Sequence, residues 1–285
     1  MLELVDATVV KGGVRVLDRL TLTIPAGQHT AIMGPNGAGK SALIQLLTHQ
    51  DRPLPHADGS PPVRVFGSDR WNVFELRPRL GIVSADLHQR FVAGNSRGRI
   101  RAEDAVLSGF FGMHGITPPD AVTARMRQDA RAALERMDAA HLAARFLDEM
   151  STGEVRRVLV ARALATSPAA LLLDEPASGL DLVARHTLVT LMDRVARAGT
   201  TLILVTHQVE EIVPAVSHVI LLKRGRAVGA GPRDAMLTAA RLGELFDMPV
   251  RLSSRGGYLE AAVDGQTAGQ AAGSARATPG EIVKD

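Results

Sequence analysis

Residues 28–41 read Gln-His-Thr-Ala-Ile-Met-Gly-Pro-Asn-Gly-Ala-Gly-Lys-Ser. A short apolar run, Ala31 to Met33, feeds a glycine-rich loop from Gly34 to Gly39. Lys40 and Ser41 then open an amphipathic segment, Ala42 to Leu47. Apolar strand, glycine turn and helix start together are the setting in which G-x-x-x-x-G-K-[ST] becomes a phosphate site. The glycines let successive backbone N–H groups turn inward, and a β-carbon at Gly37 or Gly39 would crowd a bound phosphate. The helix N-terminus adds unpaired N–H groups and a partial positive charge. Lys40 can reach the β and γ phosphates, and Ser41 can offer its hydroxyl to Mg²⁺. Gly34, Pro35, Asn36, Gly37, Ala38, Gly39, Lys40 and Ser41 are therefore the expected seat of a nucleoside triphosphate.

Composition narrows what surrounds this seat. The 285 residues suffice for one large domain, or for a domain with a lobe inserted. Hydrophobic residues at 46% with 22% charged are ordinary for a water-soluble globular chain. With no cysteine, disulfides and thiolate metal sites are excluded. The start, Met1-Leu2-Glu3-Leu4, lacks the basic and apolar regions of a secretory signal. Apolar runs such as Ala169 to Leu173 are too short to cross a bilayer, so no direct membrane insertion is expected. A net charge of +3 supports neither a nucleic-acid groove nor a polybasic membrane face, and no nucleic-acid partner is expected.

Taken in order, residues 2–10 read as a strand, Gly12-Gly13 as a turn, and Val14 to Leu17 and Leu20 to Ile24 as short alternating runs. An antiparallel sheet beside the nucleotide strand follows. Residues 51–62 are a loop, Val63 to Phe66 and Leu80 to Ser84 are strands, and a helical piece surrounds Trp71 to Leu76, with Trp71 expected to pack. Residues 85–150 contain no convincing strand and read as an inserted helical lobe. In it Gly94 to Arg99 is a polar loop, and Pro118-Pro119-Asp120 signals a helix over Ala121 to Met137. Strand and helix then alternate. Gly153 to Ala165 and Leu182 to Ala198 are helical, Ala170 to Leu173 and Thr201 to Val205 are buried strands, and a short helix lies near Val209 to Ile212. Val219 to Leu222 and Arg226 to Val228 form a hairpin, and Arg233 to Phe246 is helical. Residues 264–281, mainly Ala, Gly, Ser, Thr and Gln, read as a flexible tail.

Ala170 to Leu173 lead into Asp174-Glu175. An Asp at the carboxyl end of a buried strand is placed to hold Mg²⁺. A Glu one residue later can orient or deprotonate water attacking a γ-phosphate.

With these residues in hand, the chain resembles the ATP-binding-cassette ATPases across residues 1–250. The Walker A motif is Gly34 to Ser41 and the Walker B motif Leu171 to Asp174, followed by Glu175. Met150-Ser151-Thr152-Gly153-Glu154 is similar to the family signature, Ser178-Gly179-Leu180-Asp181 to the D-loop, and Thr206-His207 to the switch histidine. The fold so implied is α/β: a P-loop NTPase core of ABC type with an N-terminal antiparallel β subdomain and an inserted helical subdomain. Residues 28–84 and 151–230 would form the core, 85–150 the helical subdomain, 1–27 the antiparallel part and 251–285 a largely flexible extension.

The resemblance further implies ATP and Mg²⁺ as cofactors and a head-to-tail dimer, a homodimer in the simplest case. Lys40 and Ser41 of one copy would face Ser151 and Gly153 of the other, with Asp181 linking the two sites. Lys40, Glu175 and His207 are the implied catalytic residues, His207 sensing the γ-phosphate. Ser41 and Asp174 are the metal ligands, and Thr48 is counted with the nucleotide contacts. By itself Ser151 reads as a helix cap and His207 as a satisfied strand-end residue. Four positions depart from the family. Thr152 and Glu154 replace a signature glycine and glutamine. Ala85 stands where a Q-loop glutamine is usual, with Gln89 the candidate to replace it at the metal. Lys11 stands where an aromatic would stack on adenine, which implies weak base stacking.

Within the family, residues 80–91 and 242–250 resemble the ATP-binding subunits of bacterial molybdate- or iron-type importers. That implies transmembrane permease partners and a cytoplasmic position, peripheral on the inner face of the membrane. A stand-alone soluble ATPase with a regulatory or DNA-repair role is the alternative, and the arginines around Arg97 to Arg101 are its candidate DNA contact.

Overall fold

The computed structural model describes residues 1–263 apart from 71–72, 77, 93–98, 114, 116 and 118. Trp71, most of the polar loop after 93, and the tail beyond 263 therefore lie outside the described residues. The chain begins with two long strands, β1 (Leu2–Lys11) and β2 (Val14–Ile24), and then β3 (Thr30–Met33), which enters the glycine loop. Helix α1 (Lys40–Leu47) follows the loop, then β4 (Val63–Val65), α2 (Val73–Leu76), β5 (Leu80–Val83) and α3 (Ala85–Val92). The helical lobe continues with α4 (Ala102–Leu107) and α5 (Ala124–Arg136), and α6 (Thr152–Leu164) returns to the core. Next come β6 (Ala170–Asp174), α7 (Leu182–Arg197), β7 (Thr201–Thr206), β8 (His218–Lys223) and β9 (Arg226–Pro232). The described chain ends with α8 (Arg233–Met236), α9 (Ala239–Phe246), β10 (Val250–Arg255) and β11 (Tyr258–Val263).

The six-stranded sheet has the order β5-β6-β7-β3-β8-β9, parallel except for the last pair. Its inner strands are buried on both faces because alternate residues feed two cores. Leu171, Leu173, Leu202 and Leu204 point into the core shared with α4 to α7. Leu172, Ile203, Val205 and Ile32 point into the core shared with α1 and the antiparallel sheet β2-β1-β4. The two N-terminal runs on either side of Asp18-Arg19 are one strand, β2. Register shifts in its pairing with β1 accommodate Asp6 (φ +44) and Arg19 (φ +50). The fold class implied by the motifs is the one observed.

Helix α6 packs against α4 and α5 of the lobe and also against β5 and α7 of the core, so it bridges the two. Three expectations are corrected. The helix expected over Ala121 to Met137 begins at Ala124: Pro119–Ala121 forms a 3-10 turn, and Thr123 caps α5 by accepting the Met126 N–H at 3.2 Å. The single helix expected over Arg233 to Phe246 is broken at Leu237, with Thr238 capping the second piece. Of the extension expected to be largely flexible, residues up to Val263 form a hairpin. Its turn, Gly256-Gly257, has φ of +59° and +83°, the left-handed pair that a two-residue hairpin turn needs. Tyr258 and Leu259 lean on the main core, and Arg233 Nη2 donates to Gly257 O at 2.5 Å.

Candidate functional site

The glycine loop lies between the end of β3 and the first turn of α1, and neighbouring elements fix it. Gly34 N–H donates to Thr206 O at 3.2 Å, which ties the loop to the end of β7. Ala38 O accepts from Gly225 N at 2.8 Å, which ties it to the β8–β9 turn. Gly39 has φ +106, and a β-carbon there would lie 2.7 Å from Val16 O and 3.0 Å from Leu17 Cδ2. Its glycine is thus required by β2, whereas Gly37 (φ +78) has no protein atom near its missing side chain. No side chain caps α1 and no acidic residue occupies its first turn, so its N-terminal N–H groups and positive pole face the loop. Asn36, Gly37 and Ser41 are exposed at this end, while Ala38 is buried.

Lys40 is buried, and its Nζ donates to Gly34 O (2.9 Å) and Pro35 O (3.1 Å). Its ammonium lies 3.5 Å from Glu175 Oε1. The same carboxylate oxygen meets His207 Nδ1 at 2.9 Å. Three expected catalytic residues, carried by α1, the end of β6 and the end of β7, therefore converge on one oxygen. Glu175 sits at φ +45 with its N–H on Val205 O at 2.8 Å, so the turn after β6 is drawn over β7. Holding a non-glycine residue there costs of order 1 kcal/mol, and the site retains it.

Asp174 ends β6 in register with Val205. Burial first, then the charge of Glu175, push its carboxyl up to about 6, against the opposing pull of Lys40 and Arg156. A hard cation relieves that cost, and oxygen donors on Asp174 and Ser41 suit Mg²⁺ shared with phosphate oxygens. The donor set and the uncapped end of α1 thus fit a magnesium-bound polyphosphate.

Ser151, Gly153 and Asp181 gather elsewhere. Ser151 caps α6 in a capping box: its Oγ accepts from Glu154 N (3.3 Å), and Glu154 Oε2 accepts from Ser151 N (2.8 Å). Glu154, a departure from the signature, is thereby the partner that completes the cap. A β-carbon on Gly153 would come 2.8 Å from Ala184 Cβ, so α6 and α7 meet there without room for a side chain. Asp181 caps α7 through the Ala184 N–H at 2.8 Å. The three line an open cleft of about 200 Å³ with Arg157, Val183 and Thr187. Beside it Leu182 and Val183 are 80% and 74% exposed. Among the described residues, no hydrogen bond or ion pair joins this group to the Lys40 group.

Two expected nucleotide contacts are not brought to the loop. Thr48 lies past the other end of α1, where its hydroxyl donates to Ile44 O (2.9 Å) and Gln45 O (3.2 Å). Lys11 is bound to the Gln45 side chain and paired with Asp51 at 2.6 Å, so its charge is already matched. Gln89 falls within α3, and its side chain lies outside the described residues. Ala85 opens the same helix, which Ser84 caps through the Leu87 N–H at 3.3 Å. Arg99 is ion-paired with Asp148 (2.8 Å) and Glu149, whereas Arg101 donates to the Ala144 carbonyl at 3.1 Å and stays exposed.

The sequence reading gives no role to Gln208, whose Nε2 lies 3.4 Å from His207 Nε2, nor to Glu211 and Arg156, both buried. The Glu210-Glu211 pair one turn after the histidine was the available signal; buried charges leave no periodic trace.

Comparison with known proteins supplies the family. The ABC transporter family matches residues 17–178. The YlmA ABC transporter ATP-binding protein of Bacillus subtilis is 32% identical over 88% of this chain and 93% of its own. The cobalt import ATP-binding protein CbiO of Rhodobacter capsulatus is 36% identical over 80% and 76%. A metal-chelate type ABC transporter solved in an inward-facing conformation shares the fold at a TM-score of 0.73 and 24% identity, covering 93% and 98%. A glycine loop opening α1, a carboxylate pair closing β6, and a capped signature helix in this order make the chain an ATP-binding cassette, and it belongs to the ABC transporter family of ATPases.

Proposed function

We propose that this chain is the ATPase subunit of an importer for metal ions or metal complexes. It would work as a head-to-tail dimer of two copies beneath a permease, from the cytoplasmic side. The observation that carries the dimer is the separation of two half-sites on one chain. Lys40, Glu175 and His207 meet around one oxygen, while Ser151, Gly153 and Asp181 line a cleft of their own beside exposed Leu182 and Val183. A second copy turned head to tail covers those apolar residues and completes both sites.

In each site the loop N–H groups, the start of α1 and Lys40 hold the phosphates. Ser41 and Asp174 would supply oxygens for Mg²⁺, and the ion would neutralise phosphate charge when bound. Glu175 takes the proton of the attacking water, His207 orients Glu175 and reads the γ-phosphate, and the partner copy's signature contributes Ser151 and Gly153.

Support for import comes from the relatives: CbiO is a cobalt import protein, and a hemin import ATP-binding protein of Streptomyces coelicolor is 34% identical over 85% of the chain. Among the described residues no helix is long and apolar enough to cross a membrane, so a membrane-spanning partner would supply the path. A groove of about 220 Å³ between β5, α3 and α6, lined by Leu76, Leu80, Ser84, Leu87 and Arg162, is a suitable seat for it. Residues 28–84 and 151–230 would then move as the core and 85–150 as the lobe.

The test is copurification from native membranes with Glu175→Gln and ATP. A multi-span permease recovered in stoichiometric amount supports the importer reading. Recovery of soluble dimer alone contradicts it and favours the stand-alone ATPase.

A further inference from the structure

Behind the site lies a set of buried charges that the chemistry above leaves unused. Arg156, on α6 five residues after Ser151, is only 5% exposed. Its Nε and Nη1 have no hydrogen-bond partner among the described residues. Glu211, in the 3-10 turn Val209–Glu211 four residues after His207, is fully buried. Its Oε1 accepts the Ala177 N–H at 2.9 Å, while its Oε2 has no partner among the described residues. His88 Nδ1, on α3, is a further buried polar atom without one.

These groups feel one another. Burial draws the Arg156 guanidinium below its ordinary range, and the charges of Glu211 and then Asp174 act against that. Burial pushes the Glu211 carboxyl up, opposed chiefly by the Thr206 hydroxyl and the Ala177 N–H. Burial draws His88 down, and the charge of Arg156 adds to the effect. The charge on Arg156 of α6 is thus coupled to Asp174 at the end of β6, to Glu211 in the turn after β7 and to His88 on α3.

A guanidinium is charged at every working pH and carries five donors. Burying it with open N–H groups costs stability that an apolar residue would not. Open donors on Arg156 and an open acceptor on Glu211, both sealed from water, are two halves of a pair not made in this arrangement. The halves belong to the element that begins at Ser151 and to the segment that begins at His207.

We propose that Arg156 is a positioning residue for hydrolysis: as α6 closes on the core, its open Nε and Nη1 donors pair with Glu211 Oε2 and lock the His207 segment to the signature helix. This rests on the ATPase reading above. The contact makes the setting of His207 against Glu175 depend on where the signature end of α6 stands. ATP would be bound without it but cleaved slowly.

The experiment uses the full chain as Arg156→Gln, Arg156→Lys, Glu211→Gln and the double Arg156→Gln/Glu211→Gln. Each neutral single variant is expected to lower kcat by roughly 10- to 100-fold with the KM for ATP within about threefold. The double variant is no slower than the slower single, and Arg156→Lys recovers part of the rate. A second readout needs no turnover. In the Glu175→Gln background, ATP with Mg²⁺ slows amide exchange in residues 206–212, and adding Arg156→Gln removes that protection. Additive losses in kcat, a raised KM at unchanged kcat, or undiminished protection would overturn the pairing. If Arg156→Gln does not fold, Arg156→Lys and Glu211→Gln decide the same question. An inactive wild type overturns the ATPase reading instead, and the exchange experiment still decides this one.

Discussion

Replacing Glu175 by Gln is expected to lower ATP hydrolysis by roughly 10²- to 10⁴-fold while nucleotide affinity stays within a few-fold. The amide has the shape of the carboxylate and still offers an oxygen toward Lys40 and His207, now 3.5 and 2.9 Å from Glu175 Oε1. It cannot take a proton from water. The backbone turn, held by the Glu175 N–H on Val205 O, does not depend on the side chain, so the fold is unaffected. Single-turnover phosphate release beside a fluorescent-nucleotide titration separates the two quantities. Release within tenfold of wild type would remove Glu175 from the chemistry. A matching loss of affinity would make it a binding residue.

Replacing Asp174 by Asn should do two opposite things. Magnesium-dependent turnover falls by roughly 10²-fold or more, because the ligand loses its charge. The unliganded protein, in contrast, becomes more stable at neutral pH. The sign follows from the raised carboxyl. With its pKa moved from 3.8 to about 6 in the fold, the native state binds the proton more readily than the unfolded chain. Stability from this group is therefore greatest at low pH and falls as pH rises toward and through 6. A shift of this size corresponds to about 3 kcal/mol at most, and partial exposure reduces that to about 1–2 kcal/mol. Asn carries no charge at any pH and escapes the loss. Thermal melts without nucleotide should show the variant higher by several degrees at pH 7.5, with the gap shrinking toward pH 5. Equal gaps at both pH values would mean that the fold does not raise the Asp174 carboxyl.

What could be read from the sequence was whatever is written locally. An apolar run, a glycine loop and a lysine adjacent in the chain must form strand, turn and helix start, and β3, the loop and α1 follow. The carboxylate pair was equally plain, because four apolar residues ahead of Asp174 have nowhere to go but a buried strand. Capping competed less visibly. Two prolines before Asp120 look like a helix start, yet Pro119–Ala121 folds as a 3-10 turn, and the side chain of Thr123 offers the better cap. The hairpin at Gly256-Gly257 escaped because its strands, Val250–Arg255 and Tyr258–Val263, are mostly exposed and lack a clean alternation.

The candidate site divides along the same line. Lys40, Glu175 and His207 stand in recognisable neighbourhoods, and the fold brings them to one oxygen. Lys11 and Thr48 were placed by analogy of position, and side-chain geometry spends both elsewhere, on Asp51 and Gln45 and on the carbonyls at the end of α1. Arg156 was invisible for a different reason. Helix α6 is buried nearly all round, so no polar face marks its orientation, and an arginine in it reads as solvated.

The central claim is that neither half-site works without the other copy, and mixing two inactive variants tests it most directly. Lys40→Ala removes the phosphate cation from one half-site. Ser151→Asp keeps a good helix cap on α6 but sets a negative charge against the partner's γ-phosphate. Each variant alone forms dimers with two broken sites. A head-to-tail mixed dimer holds one site with both faults and one with neither. An equal mixture should therefore recover about a quarter of wild-type ATP turnover, since half the dimers are mixed and each has one whole site. A mixture as inactive as its parents, or a Ser151→Asp chain active by itself, would contradict the composite site.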